Sequence, residues 1–190
     1  MSYHHYTTEG IILRREDRGE NDAVYVVLTE SLGLIIVQAT GIRLLKSKLR
    51  TVLQPRNIVK ITLVRGKALW RVTTCVFVAT APNVLAPTIP RLYKLLRQFV
   101  VFDESIPVIY QHFKNLFTIT EDIWGNAKRL KTAETITTAR ILATLGMLDQ
   151  VEVNEIEGES VFTAAFCDQS EIVNEILLKH IQNRLSETLL

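Results

Sequence analysis

The chain has 190 residues, 47% of them hydrophobic and 22% charged, with a net charge of +2. This length allows one domain or two small ones with ample core. No apolar run is long enough to cross a membrane, and the N-terminus lacks the basic start and apolar stretch of a signal peptide. Two cysteines without a CxxC pair argue against a structural zinc site or a disulfide framework. The expectation is a globular protein of the reducing cytoplasm.

The first part of the chain predicts five short strands, because β-branched runs alternate there with turn signals. The strands are expected at residues 9–15, 23–29, 34–40, 58–64 and 69–78. Gly19 in the first loop and SLG at 31–33 supply reversals. Between the third and fourth strands, KSKLRTVLQP predicts a helix that Pro55 ends. Five strands with this helix predict an OB-fold barrel.

The second part of the chain predicts helices. The proline-rich stretch APNVLAPTIP (81–90) suggests an extended connector, so the predicted domains are residues 1–80 and 81–190. Beyond it the hydrophobic period changes from two to about 3.6. Four helices are expected. The first has an apolar face of Leu92, Leu95, Leu96, Phe99 and Val100, and the second is capped by Ser105. The third runs from about Thr132 to Leu145 and stops at Gly146, and the last begins near Asp168 or Ser170. Trp124 and Gly125 predict a break, and residues 151–166 predict a small hairpin turning at Gly158. The fold class is therefore α+β.

The small net charge conceals an asymmetry between the two parts. Residues 1–80 hold 12 basic and 6 acidic residues, a net charge of +6, whereas residues 81–190 hold 10 and 14, a net charge of −4. A basic half that is also the OB-like half points to a nucleic-acid surface. The alternative is a solvated basic face without a partner.

The basic residues of the predicted barrel fall into three groups, at the end of the first strand, after the third strand and around the last hairpin. An OB-fold binds single strands across its second and third strands and through its first and fourth loops, so the groups are expected to converge. Tyr25 and Trp70 are the aromatic candidates for base stacking, with simple packing as the alternative. The predicted DNA-binding residues are Arg14, Arg15, Arg18, Arg43, Lys46, Lys48, Arg50, Arg65, Lys67, Arg71 and Trp70.

No motif indicates catalysis. The chain has neither a phosphate-cradling glycine-rich loop nor a nucleophile elbow. Its four histidines show no metal-ligand spacing, and Cys167 has no evident base partner. The expectation is a non-enzymatic protein without a metal or cofactor.

Three stretches together resemble the N-terminal half of the bacterial RecO family: TEGIILRREDRGENDAVYVVLTESLGLI, GIRLLKSKLRTVLQP and LVRGKALWRVTT. Seven short elements occur in the family's order. The matching positions are Gly19, Glu20, Asp22, Thr29, Gly33, Leu34, Gly41, Arg43, Ser47, Leu49, Gln54, Pro55, Gly66, Leu69 and Trp70. The resemblance covers about residues 7–80, and the helical half fits only in outline. Many RecO proteins carry a four-cysteine zinc site after the segment that LGMLDQ resembles, and this chain has none there, so it resembles a short, zinc-free member.

The resemblance implies a recombination mediator. Such a protein binds single- and double-stranded DNA, anneals complementary strands, and helps RecR and single-stranded-DNA-binding protein (SSB) to load RecA. It also implies that the helical domain receives the acidic C-terminal tail of SSB, which requires an apolar pocket rimmed by cations. The candidate cations are Lys128, Arg129, Lys131 and Arg140, with a solvated loop as the alternative. A protein-interaction module and an RNA-binding OB protein are the competing functions.

Overall fold

The computed structural model describes residues 4–148, 162–170, 177–179 and 181. The chain divides into two compact units, Met1–Tyr110 and Gln111–Leu190. The domain boundary between residues 80 and 81 stays a prediction. None of the described helices is long and apolar enough to cross a membrane.

Five strands form a closed barrel in the first unit, as predicted. They are β1 (His5–Arg18), β2 (Asp22–Thr29), β3 (Gly33–Ala39), β4 (Asn57–Arg65) and β5 (Trp70–Thr80). Their order around the barrel is β1-β2-β3-β5-β4, and β4 returns to β1. All neighbours are antiparallel except β3 and β5, which are parallel. The predicted OB-fold is therefore confirmed.

The long strand β1 closes the barrel because it pairs with two strands in succession. Its first half pairs with β4 and its second half with β2, and the register shifts between Ile12 and Arg14. Such a bulge bends a strand, which lets β1 reach both neighbours. Side chains that alternate inward fill the barrel. The core includes Ile12, Ala23, Tyr25, Val27, Ile35, Val37, Val59, Ile61 and Leu63.

The predicted helix between the third and fourth strands is wrong. Residues 40–56 form a series of turns, beginning with the Leu44 N–H on the Gly41 carbonyl at 3.2 Å. In this fully described stretch only the Leu53 N–H reaches back four residues, to the Leu49 carbonyl at 2.9 Å. Leu53 joins the barrel core and Leu49 and Val52 pack against it, so these apolar residues reach the core from turns. A helix as short as ten residues has little stability of its own in water, so packing decides the local structure.

Along most of β5, one edge of the strand pairs with no other described strand. It pairs with β4 along its length, but with β3 only at Trp70 and Arg71. Farther along β5, the side chains of Val76, Phe77 and Val78 are 62%, 49% and 48% exposed. An exposed apolar strand edge is a surface on which another chain can pair.

The connector after the barrel is more regular than the predicted extended stretch. A 3-10 turn (Asn83–Leu85) precedes α1 (Thr88–Phe99), which contacts β1. Pro90 lies in the first turn of α1, where its missing N–H is not needed. The predicted apolar face is largely confirmed, because Leu92, Leu95, Leu96 and Val100 are buried and Phe99 is half-buried.

The segment after α1 lies against the start of β3. The Asp103 N–H donates to the Leu34 carbonyl at 2.9 Å, and Asp103 has a φ of 64°. Gly33 has a φ of 70°, and a Cβ added there would lie 1.6 Å from the Glu104 carbonyl oxygen. Both its backbone conformation and this close approach require glycine at position 33.

Further helices whose bounds the structure describes are α2 (Pro107–Phe117), α3 (Glu121–Trp124), α4 (Ala127–Thr144) and α5 (Ala164–Gln169). The predicted break at Trp124 and Gly125 is confirmed, since α3 ends there. The helix expected from Thr132 begins earlier, at Ala127, because the Asn126 side chain caps it by accepting two backbone N–H groups.

The predicted hairpin turning at Gly158 lies mostly outside the described residues. Its last residues are helical instead, because α5 already begins at Ala164. The Thr163 hydroxyl accepts a backbone N–H 3.2 Å away and so caps this helix. The last helix, predicted to begin near Asp168 or Ser170, lies mostly outside the described residues, and residues 177–179 and 181, which are described, are helical.

Candidate nucleic-acid interface

Strand register brings the first loop, the end of β3 and the last hairpin, each of which adjoins a predicted basic group, to one end of the barrel. At this end β2 begins beside the end of β3, where Ala23 pairs with Ala39. The end of β3 lies beside the start of β5, where Val37 pairs with Trp70. Trp70 in turn pairs with Arg65 at the end of β4. Lys46, Lys48 and Arg50 lie in the turns that run on from Arg43 toward the start of β4. The predicted cations are together called the basic end below: Arg14, Arg15, Arg18, Arg43, Lys46, Lys48, Arg50, Arg65, Lys67 and Arg71.

Arg43 holds the first loop against the turn that follows β3. Its guanidinium donates to the Gly19 carbonyl at 2.8 Å and lies 3.6 Å from the Asp17 carboxylate. Its backbone N–H donates to the Asn21 carbonyl at 3.0 Å. The first and second basic groups are therefore physically joined.

Asp22 extends this connection toward the third group. Its carboxylate accepts the Gly41 N–H at 2.8 Å and the Gln38 side-chain amide at 3.2 Å. Gln38 pairs in register with Arg71 at the start of β5. The acidic residues of the first loop thus order the loop within the protein itself.

Several cations of the basic end lie beside carboxylates. Arg14 pairs with Glu16 at 2.6 Å, and Arg15 pairs with Asp17 at 2.9 Å. Exposed ion pairs of this kind contribute little stability, so a phosphate can replace the carboxylate at small cost.

The other cations face solvent without such a partner. Their side chains are exposed and form no ion pair with another residue that the structure describes: Arg18, Lys46, Lys48, Arg50, Lys67 and Arg71. Uncompensated charge concentrated at one end attracts a polyanion.

Trp70 is enclosed rather than open. It is 7% exposed, and its indole N–H donates to the Asp103 carboxylate at 2.7 Å. The Arg65 guanidinium lies 4.7 Å from the ring centre and pairs with Asp103 at 3.0 Å, while the Tyr6 ring meets the indole edge-on at 5.2 Å. A base could stack on Trp70 only after these groups moved. Tyr25 lies in the barrel core, fully buried, with no hydrogen-bond partner in the described part of the chain.

A groove that the sequence did not predict runs along the outer face of the barrel. Its volume is about 270 Å³. Its barrel side is formed by Arg14, Glu16, Val24, Val26 and Ile36. Its other side is formed by Tyr93 and Arg97 of α1 and by Phe102. Of these lining residues, only Arg14 is among the predicted DNA-binding residues. The sequence did contain one indication of the groove, because Tyr93 and Arg97 are four residues apart and therefore neighbours on α1, beside its buried stripe.

The residues predicted for the SSB tail have different surroundings in the helical unit. Lys128 and Lys131 are exposed near the start of α4. Arg129 donates to both carboxylate oxygens of Asp168 at 2.8 and 2.7 Å, and these hydrogen bonds lower the pKa of Asp168. Arg140 is 5% exposed and lies 5.5 and 5.8 Å from the ring centres of two phenylalanines.

The two thiols have no reactive setting. Both are free, and burial raises the pKa of Cys75 to about 12 and that of Cys167 to about 11. Within the residues that the structure describes, no group of His, Cys, Asp and Glu could hold a metal ion.

The sequence is similar to known proteins in its barrel half. Residues 1–81 match the family Recombination protein O N terminal. The DNA repair protein RecO of Thermobifida fusca (strain YX) is 34% identical over 86 residues, which are 45% of this chain and 35% of that protein. The DNA repair protein RecO of Alkaliphilus metalliredigens (strain QYMF) is 37% identical over 65 residues, 34% of this chain and 26% of that protein. The matched part thus spans about a third of each relative or less.

The matched region coincides with the barrel, since β5 ends at Thr80. It contains the loops that build the basic end and the Gly33 that the close approach of Glu104 requires. Residues 1–81 therefore match the N-terminal domain of the RecO family, and the similarity reported for this chain lies in its barrel half.

Proposed function

We propose that this protein is a DNA repair and recombination mediator that binds DNA through its basic end. The observation that supports the proposal is that the first loop, the turn with Arg43 and the last hairpin with Arg65 and Arg71 meet at one end of an OB barrel. Proteins of this fold bind single strands with such loops. The similarity of residues 1–81 to the RecO family supports the same function, since both relatives are named DNA repair proteins.

The contacts would be made to the phosphate backbone. Lysine and arginine on exposed turns supply charge without a fixed base-reading geometry, so binding is not sequence-specific. The same surface accepts single and double strands, because both present phosphates. Neutralised backbones repel each other less, which favours annealing of complementary strands.

The proposed partners follow from the family. The protein would act with RecR and SSB to load RecA on SSB-coated single strands, in the bacterial cytoplasm. This role requires neither nucleotide hydrolysis nor a cofactor, and no enzymatic step is proposed.

The proposed SSB-tail site is the start of α4 in the helical unit. Lys128 and Lys131 would meet the acidic tail, with Arg129 beside them, whereas the predicted Arg140 is buried and too enclosed to contact it. Replacing Lys128 and Lys131 with Glu spares the Arg129–Asp168 ion pair and therefore keeps that part of the fold. Loss of labelled tail-peptide binding, with oligonucleotide binding retained, is the expected result. Unchanged peptide binding would move the tail site elsewhere.

An annealing assay tests the main proposal. Complementary oligonucleotides are mixed with the protein, with and without SSB, and duplex formation is followed by fluorescence. Acceleration is expected for the wild type. It should be reduced when Lys46, Lys48 and Arg50 are replaced by Glu, and retained when Lys60, an exposed lysine in the middle of β4, is replaced by Glu. No acceleration by the wild type would contradict annealing.

A second candidate function, a protein-interaction module, is favoured by the exposed apolar edge of β5. Retention on an immobilised polyanion at moderate salt separates the two. A DNA-binding protein is retained, whereas a module that acts only through the β5 edge passes through. Competition between DNA and RNA oligomers tests the RNA-binding alternative.

A further inference from the structure

The groove on the outer face of the barrel combines features that the basic end lacks. Register shows that Arg14 pairs with Val26 and that Val26 pairs with Ile36, so these three side chains form one row across β1, β2 and β3. The opposite side carries two half-exposed aromatic residues, Tyr93 and Phe102. The floor is thus apolar and the far side aromatic.

Cations stand on both sides of the groove. Arg14 on the barrel side pairs with Glu16, which cancels the charge of that carboxylate. Arg97 on the helix side is exposed and forms no ion pair with any residue that the structure describes. An apolar floor flanked by guanidinium groups matches a ligand with a flat ring and anions on either side.

We propose that this groove binds one unstacked nucleobase of single-stranded DNA, and this inference rests on the proposed DNA-binding function. The base lies against Tyr93 and Phe102 over the apolar row of β2 and β3. The flanking phosphates meet Arg14 and Arg97. Single-strand binders join a cationic track with aromatic platforms in this way.

The size and position of the groove favour this occupant. Its volume of about 270 Å³ is just below the smallest pockets that hold drug-sized ligands, so it accepts one ring system. Arg14 belongs to the same strand as Arg18 at the basic end, so a strand leaving the groove reaches those cations directly. Bases of an intact duplex are stacked and paired, so they cannot enter the groove.

The test compares a short oligothymidine with an abasic oligomer of the same length by fluorescence anisotropy at one salt concentration. Stacking of one base on an aromatic side chain is worth about 5- to 150-fold in affinity. We expect the wild type to favour the oligothymidine by about fivefold or more. Tyr93→Leu with Phe102→Leu should remove the preference and leave duplex affinity unchanged. Phe77→Leu, an exposed aromatic on β5 outside the groove, is the matched control and should keep it.

The outcomes separate this inference from the function on which it rests. Equal binding of both oligomers by the wild type overturns the base site while DNA binding stands. Binding of neither oligomer contradicts the proposed function itself. If the double variant does not fold, Tyr93→Leu alone decides, and a retained base preference there overturns the proposal. The double variant could also lose binding of an acidic peptide while it keeps the preference for oligothymidine. That result would make the groove a peptide site and would overturn the proposal.

Discussion

The Arg43 guanidinium donates to the Gly19 carbonyl at 2.8 Å, which fastens the turn after β3 to the loop between β1 and β2. These two segments flank the face that OB-folds use for single strands. Arg43 therefore helps to position the surrounding cations as well as adding its own charge. The cations at the tips of the same turns are free of ion pairs within the described residues, and they carry the first prediction.

Replacing Lys46, Lys48 and Arg50 with Glu is expected to weaken DNA binding equally for all sequences, because binding to phosphates carries no base information. For each phosphate that the variant no longer binds, the salt dependence of single-strand affinity should become shallower by about 0.7. Anisotropy titrations at several salt concentrations measure both effects. Lys48→Glu and Lys60→Glu, compared as single changes, provide the control. Equal effects of these two would mean that position on the barrel does not matter.

Trp70→Phe is expected to destabilise the first unit by about 1 kcal/mol, because the Asp103 carboxylate loses the indole donor. Oligonucleotide affinity should be unchanged, since the indole is enclosed by Tyr6, Arg65 and Asp103. Urea unfolding and anisotropy measure the two quantities. Trp124→Phe is a matched control, as its indole N–H has no hydrogen-bond partner among described residues. A clear loss of DNA affinity with unchanged stability would show that Trp70 stacks on bases after all.

Comparing Gly33→Ala with Gly19→Ala separates the cost of backbone strain from the cost of a steric clash, because the two glycines have similar backbone conformations. Both have positive φ, 70° and 63°, so each alanine is strained by about 1–2 kcal/mol. A Cβ at Gly19 meets nothing within 4 Å, whereas one at Gly33 meets the Glu104 carbonyl. We expect a distinctly larger drop in the free energy of unfolding for Gly33→Ala, measured by urea denaturation. Equal drops would mean that the segment at Glu104 is not held against β3.

His112 predicts how the helical unit responds to acid. Burial, and then the nearby Arg140, lower the pKa of His112 from 6.5 to about 4. The unfolded chain therefore takes up a proton at higher pH than the folded one. The contribution to stability is fully present above pH 6.5 and is lost as the pH falls toward 4. His112→Gln should flatten the pH dependence of the free energy of unfolding across this window. The same slope in wild type and variant would rule out this histidine as its source.

The barrel was predictable because its information is local. Alternating β-branched runs and turn residues locate the strands to within a few positions, although β1 begins at His5, earlier than its alternation suggests. The helix predicted between β3 and β4 failed because helix propensity over ten residues is weak, and Leu49, Val52 and Leu53 pack on the core from turns instead. The start of α4 was available in the sequence, since Asn126 is a favoured cap.

The candidate site was only partly predictable because it depends on distant packing. Basic residues at strand ends indicated a charged end of the barrel. Nothing local indicated that Asp103 would reach back to enclose Trp70. The groove formed by Tyr93, Arg97 and Phe102 likewise depends on how α1 lies on the barrel. The burial of Arg140 was weakly indicated by the sequence, because Arg140 follows Ile136 by four residues and so lies on the same buried stripe of α4.

The affinity for a single-stranded oligonucleotide as a function of salt tests the central claim most directly, because backbone binding releases counterions. For about four to six phosphate contacts at the basic end, the logarithm of affinity should fall with the logarithm of salt concentration with a slope near −3 to −4. Anisotropy with one labelled oligomer gives this slope. A slope in that range supports phosphate binding by the basic end, and a flat response would contradict it.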